Sequence, residues 1–286
     1  MTVQTTEVRL RNRWRHGIAG TLLVLLTSIS AGPLAGMSTA HAATLCTVIA
    51  DAATGQFLTK EGTCETRVTP ASTFKIPISL MGFDAGFLKD EHNPSLPFKK
   101  GYAAWIPAWK QDTDPSSWMK NSVVWYSRLI TEALGEQRFR DYVRRFDYGN
   151  EDVSGNPGKN DGLTNAWLSS SLKISPVEQI AFLRKLVRRE LPVSPHAYVM
   201  TSKITALQDV DGWSVHGKTG AGPVRRADGS REPGQSYGWF VGWMVKEGRT
   251  LVFARLVRDE KREAVSPGIR TRDIFLRELP SIIARL

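Results

Sequence analysis

The sequence predicts an α/β chain of the α+β type: one antiparallel-rich sheet assembled from both chain ends, flanked by helices, with a separate helical lobe. Three observations carry this. Strand-like stretches stand early, at 45–51 and 56–60, and again late, at 213–218, 236–245 and 250–258. One of the late ones, "SYGWFVGWMV", alternates with the period of two that a half-buried strand requires. Between the two sets the pattern turns helical, and an amphipathic helix over 267–285 closes the chain. Strands at both ends with helices between them favour a sheet whose middle strands come from distant parts of the sequence.

Taken in order, the first two strands are joined by a Thr54-Gly55 turn. A helix is expected from Ala71, interrupted by Pro77 but apolar through Leu88. The stretch 91–118 is rich in loops and Trp, helices follow at 120–133 and 136–146, and Gly, Asn, Asp and Pro crowd an irregular loop over 149–165. In "SPVEQIAFLRKLVRR", Ser175 stands at an N-cap, Pro176 at the first helical position and Glu178 at the third. That is a capping box with a proline where its missing N–H does no harm.

The N-terminus reads as an address. Arg9, Arg11, Arg13 and Arg15 precede an apolar run over 18–29, and Ala40-His41-Ala42 supplies a small-residue cleavage site. A cleavable secretory signal over 1–42 is expected, with export to the periplasm and a mature catalytic domain of two intertwined lobes over 43–286. The apolar run falls short of the ~20 residues of a bilayer helix, so a stable membrane anchor is not expected. Formal net charge is +10 over 286 residues, and a leader with four Arg and one Glu leaves a mature chain near +7. The basic residues are scattered, with no aromatic-interleaved stripe, which argues against nucleic acid and leaves attraction of small anions as their use. No repeat or low-complexity linker divides the chain, and a homodimer stays open. Cys46 and Cys64 are the only cysteines. An even count in an exported chain points to a bridge, with two independent buried thiols as the alternative. The five His are isolated and no C-x-x-C pair exists, so no metal is expected.

Residues 212–219, "GWSVHGKT", match the phosphate-loop pattern letter for letter. A working phosphate loop follows a strand and opens a helix. Here Gly-Ala-Gly-Pro and a polar loop, "VRRADGSREPGQ", follow, while Trp213, Val215 and His216 inside the pattern alternate like strand residues. Nucleotide binding is therefore rejected. Lys218-Thr219-Gly220 instead presents a cation, a hydroxyl and an open backbone edge at the end of a strand, an anion clamp that needs a partner. "PASTFKIP" offers one: Ser72 and Lys75 share a face at a helix start. A serine needs a neighbouring base to become a nucleophile, and a helix N-terminus favours developing negative charge. The spacing alone is weak, since Ser117–Lys120 and Ser170–Lys173 repeat it. What distinguishes Ser72 is its place ahead of Ser122-Val123-Val124, Tyr148-Gly149-Asn150, Trp167 and Lys218-Thr219-Gly220, in that order.

That ordered set, with the flanks "SLKISPVEQ" and "HGKTG", resembles the class D serine β-lactamases, the oxacillin-hydrolysing branch of the penicillin-recognising serine enzymes. The apolar Val124, where related enzymes carry Asn, favours class D over its neighbours. The resemblance implies a serine β-lactamase/penicillin-binding transpeptidase-like fold and hydrolysis of penicillins and oxacillin-type β-lactams, with antibiotic resistance as the outcome. It implies Ser72 as nucleophile and Lys75, N-carboxylated by CO2, as general base, with no other cofactor. The indole N–H of Trp167 would serve the carbamate and Ser122 would relay a proton to the lactam nitrogen. Lys218, Thr219 and Arg270 would hold the substrate carboxylate, with Arg272 a rival in the same short motif. Backbone N–H groups of Ser72 and Ala221 would form the oxyanion hole. Tyr148 and Asn150 also read as an ordinary turn, and Trp167, Trp105, Trp109, Trp118 and Trp125 as packing. A penicillin-sensing receptor or D,D-peptidase with the same acylating serine is the neighbouring alternative.

Overall fold

The structure, a computed structural model, describes residues 42–226 and 228–286. The expected leader lies outside them apart from Ala42. Five antiparallel strands form one sheet in the order β2-β1-β5-β4-β3. They are β1 Ala43–Asp51, β2 Phe57–Gly62, β3 Ser214–Arg225, β4 Arg231–Lys246 and β5 Arg249–Asp259. The N-terminal β1 lies beside the late β5, so both chain ends build the sheet as expected. At the β1–β2 turn, Asp51 Oδ1 accepts from the Ala53 and Thr54 N–H groups, and Gly55 takes the left-handed φ of 79° that closes it. Cys46 and Cys64 are joined by a disulfide, 18 residues apart in sequence.

The helices are α1 Lys75–Asp84, α2 Pro115–Asn121, α3 Val124–Leu134, α4 Glu136–Arg145, α5 Gly162–Asn165, α6 Pro176–Val187, α7 Pro195–Thr205 and α8 Pro267–Ile283. The sheet separates two apolar clusters. Ile49, Phe240, Phe253 and Met244 face α8 through Phe275, Leu279 and Ile282. Trp239, Val241, Ala254 and Leu256 face the helices on the other side. Each buried aromatic in the Phe240–Phe253–Phe275 group contributes on the order of 2–3 kcal/mol by leaving water. Alternation along β4 thus fixes which side chains meet α8 and which meet the helical lobe.

Four elements differ from expectation. The helix expected from Ala71 begins as a 3-10 turn, Ala71–Phe74, and its α-helical part ends at Asp84 rather than Leu88. Pro77 falls in the first turn of α1, where backbone N–H groups have no helical acceptor to lose. The expected helix over 120–133 is broken: Ser122 adopts a left-handed φ of 61°, ends α2 and lets Val123 open α3. The polar stretch after Gly220 is not a loop but a hairpin, with Gly222 paired to Tyr237 and Pro223 to Ser236. Finally, α7 was not foreseen, although Ser194 caps it through the Ala197 N–H and Pro195 opens it.

Candidate active site

The site begins at the turn before α1. Ala71 takes a positive φ of 49° and its N–H donates to the Trp167 carbonyl at 3.1 Å. The Pro70 carbonyl accepts from both the N–H and the hydroxyl of Thr73, and Gln179 Nε2 donates to Thr73 Oγ1 at 3.1 Å. This turn is pinned on three sides, and Ser72 is its one residue that is not buried. Three residues on, Lys75 is wholly buried and its Nζ donates to Ser72 Oγ at 3.3 Å. Burial, and then the positive charge of Lys218, hold the Lys75 ammonium well below the ordinary lysine pKa. The pocket therefore favours a neutral amine next to the serine oxygen.

An aromatic wall backs this pair. Phe74 lies 5.7 Å from the Trp167 ring and 5.1 Å from Tyr148, and Phe139 packs against both Phe74 and Trp167, at 6.0 and 6.2 Å. The Trp167 Nε1 is buried and has no hydrogen-bond partner among the described residues. Leaving such a donor unpaired costs about 1–3 kcal/mol. Burial also raises the Tyr148 phenol pKa. Asn150 acts structurally: its side chain donates to the Ser171 carbonyl at 2.9 Å and accepts from the Lys173 N–H at 2.8 Å. The Tyr-Gly-Asn stretch thereby ties the loop after α4 to the segment leading into α6.

β3 brings Lys218-Thr219-Gly220 against the serine turn. A Cβ at Gly220 would lie 2.8 Å from the Pro70 carbonyl oxygen, and a Cβ at Gly268 would lie 2.4 Å from the Gly220 carbonyl oxygen. Two glycines thus let the serine turn, β3 and the start of α8 close on one another. Lys218 is 5% exposed, and its Nζ reaches only the carbonyl and hydroxyl of Thr219, at 3.3 and 3.4 Å. Burial, and then Arg272, push its pKa down to about 7. β3 is an edge strand, so alternate backbone groups around Ala221 point away from the sheet.

The remaining residues divide. Ser122 stands at the corner between α2 and α3 and Val124 is buried just beyond it; neither bonds to Ser72 or Lys75. Arg270 does not line the cavity beside Lys218. Its Nη2 pairs with the buried Asp259 and its Nε donates to the Val265 carbonyl at 3.1 Å. Arg272 does line that cavity, of about 470 Å³, together with Lys218 and Thr219. Gln179 and Asp259 were missed from sequence, because each acts through a partner remote in the chain. Trp109, Trp118 and Trp125 pack the α2–α3 corner, their N–H groups bonded to Asn121 O, Ser127 Oγ and Trp109 O. Among the described residues no helix is long and apolar enough to cross a membrane.

Comparison with known proteins agrees with this arrangement. Residues 45–277 match the penicillin-binding protein transpeptidase domain. The chain is 44% identical to β-lactamase OXA-9 of Klebsiella pneumoniae over 92% of its own length and 97% of that protein's. It is 40% identical to β-lactamase OXA-1 of Escherichia coli, over 73% and 74% of the two chains. The crystal structure of the class D β-lactamase OXA-427 superposes with a TM-score of 0.80 at 50% identity, covering 84% of this chain and 98% of that one. With the serine turn, the buried lysine and the β3 clamp in one place, the chain belongs to the class D serine β-lactamases.

Proposed function

We propose that the chain hydrolyses β-lactams through an acyl-enzyme on Ser72. The observation that carries this is the wholly buried Lys75 Nζ at 3.3 Å from Ser72 Oγ, with no other hydrogen-bond partner among the described residues. Ser72 Oγ gives its proton to the Lys75 side chain as it attacks the lactam carbonyl. The Ser72 and Ala221 N–H groups stabilise the oxyanion. Ser122 relays that proton from Lys75 to the lactam nitrogen as the amide bond breaks. Water then adds to the ester, losing a proton to Lys75, which returns it to Ser72 Oγ as the acyl–oxygen bond breaks and the opened product leaves.

Lys75 also fits the expected carboxylation. A buried amine of lowered pKa can add CO2, and the unpartnered Trp167 Nε1–H beside Phe74 is a donor such a group would satisfy. Carboxylated, Lys75 supplies an anionic oxygen as general base. Lys218 and Thr219 take the substrate carboxylate. Arg270, which Asp259 and Val265 hold outside the cavity beside Lys218, would reach the same carboxylate from another side through its free Nη1. The leader over 1–42 carries the enzyme to the periplasm; N-terminal sequencing of the exported protein should begin at Ala43.

Turnover of a chromogenic cephalosporin tests the reading. A hydrolase converts many equivalents, whereas a penicillin sensor stops after one. Ser72→Ala should lose turnover, and by intact mass it should form no covalent adduct. An adduct on that variant would remove Ser72 from its role.

A further inference from the structure

Beyond the carboxylate clamp, the 470 Å³ cavity continues between the end of α2, the end of α7, β3 and α8. Four cations line it (Lys120, Lys203, Lys218 and Arg272) and no carboxylate does. Lys203 pairs with Glu91 at 2.9 Å and Arg272 with its neighbour Asp273 at 2.8 Å. Among the described residues Lys120 and Lys218 have no acidic partner, which leaves the charge of Lys120, and that of Lys218 when protonated, to be met from outside. Lysines at helix ends are expected on dipole grounds alone, and that accounts for Lys120 and Lys203. It does not account for Lys218, a strand residue 5% exposed that lines the same space. A buried cation with no counter-charge is costly. Ser116 and Gln208 add polar side chains that make no hydrogen bond within the described protein, so the lining is rich in donors.

One substrate carboxylate answers Lys218 and Thr219. It leaves the Lys120 and Arg272 side without a ligand, in a space far larger than a carboxylate. We propose that this cavity is a second anion subsite that takes a small divalent oxyanion of the phosphate class, held by Lys120, Arg272 and Lys218. Such an ion is an acceptor at every oxygen, which matches the donor-rich lining. It also draws on the Lys218 that the proposed function gives to the substrate, so its occupancy competes with β-lactam binding. Only that kinetic consequence rests on the functional reading.

The probe is inorganic phosphate, titrated into the full chain by calorimetry at fixed ionic strength. One-site binding is expected, and Lys120→Gln should weaken it by about tenfold, the loss of one charge-assisted contact. Gln208→Leu should weaken it less. Lys120 is exposed, so its replacement leaves the fold intact, which an unchanged melting temperature would verify. In steady state, phosphate should raise KM for a penicillin without changing kcat, with an inhibition constant equal to the calorimetric Kd. Absence of binding at 50-fold excess over the wild-type requirement of a ~1 mM site would overturn the proposal. So would equal affinity in wild type and Lys120→Gln, which would place the ion in the carboxylate clamp alone. Calorimetry needs no turnover, so failure of the cavity and failure of the β-lactamase reading are told apart.

Discussion

Lys218 should write an alkaline limb into the pH profile of kcat/KM. Burial, and then Arg272, bring its pKa from the ordinary 10.5 down to about 7. The sign follows directly: below pH 7 the ammonium is present to meet the substrate carboxylate, and above it the charge is lost. If Lys218 is the dominant anchor, kcat/KM for benzylpenicillin falls about tenfold per pH unit, and at pH 9 only about one enzyme in a hundred is competent. The bound carboxylate stabilises the cation, so the limb in kcat alone should lie at higher pH than the limb in kcat/KM. Lys75 is coupled to it. The Lys218 charge helps to depress the Lys75 pKa, and a carboxylated Lys75 returns negative charge that raises the pKa of Lys218. Bicarbonate should therefore shift the limb toward alkaline pH as well as raise the rate. Initial rates from pH 5.5 to 9.5 at constant ionic strength, with and without bicarbonate, measure all of this. Lys218→Arg keeps its charge throughout and should remove the limb. An identical limb in Lys218→Arg, or a flat wild-type profile to pH 9 in bicarbonate-free buffer, would refute the reasoning.

Trp167→Phe keeps an aromatic ring against Phe74 but removes the unpaired N–H; it should slow turnover by about tenfold at ambient CO2, with recovery in bicarbonate and a weaker carbamate signal in carbon-13 NMR. Arg270→Ala should raise KM more than it lowers kcat, and it should also lower the melting temperature, because it strands the buried Asp259. Arg272→Ala should leave the melting temperature nearly unchanged, and a larger KM effect there than at Arg270 would exchange the two roles. Replacing Cys46 and Cys64 together by Ala should cost about 3 kcal/mol in urea unfolding and leave kcat unaltered, since the bridge closes a short loop at the β1–β2 hairpin and neither cysteine is among the residues bonded to Ser72 or Lys75.

How far the sequence can be read follows from the range over which each residue's reason operates. The α6 start was legible because Ser175 and Glu178 satisfy each other's backbone within four residues. The α7 start carries the same Ser-Pro opening, but Ala197 replaces the Glu and its buried face includes Thr201 and Thr205 in place of aliphatic residues. Thr205 Oγ1 donates to the Thr201 carbonyl at 2.7 Å and Thr201 Oγ1 pairs with Ser79 Oγ of α1 at 2.9 Å, so both hydroxyls are satisfied. A reader of hydrophobic periodicity sees polarity where the fold sees a satisfied interior. The break at Ser122 is hidden for another reason: the left-handed turn that favours Gly is made by a serine, whose N–H donates to the Trp118 carbonyl while the next residues, Val123 and Val124, are buried. In the site, Ser72 and Lys75 were legible as one helical turn. Lys218 joined them only through motif order, because nothing local in "HGKTG" says that its charge will lie near an amine 143 residues earlier. Asp259 was beyond reach altogether. It resembles any strand-end acid until α8 delivers Arg270 to it, and that delivery depends on Gly268 fitting against Gly220. The proposed clamp therefore rests on two glycines that carry none of its chemistry: a Cβ at Gly268 would part β3 from the helix that carries Arg270, and a Cβ at Gly220 would part β3 from the serine turn.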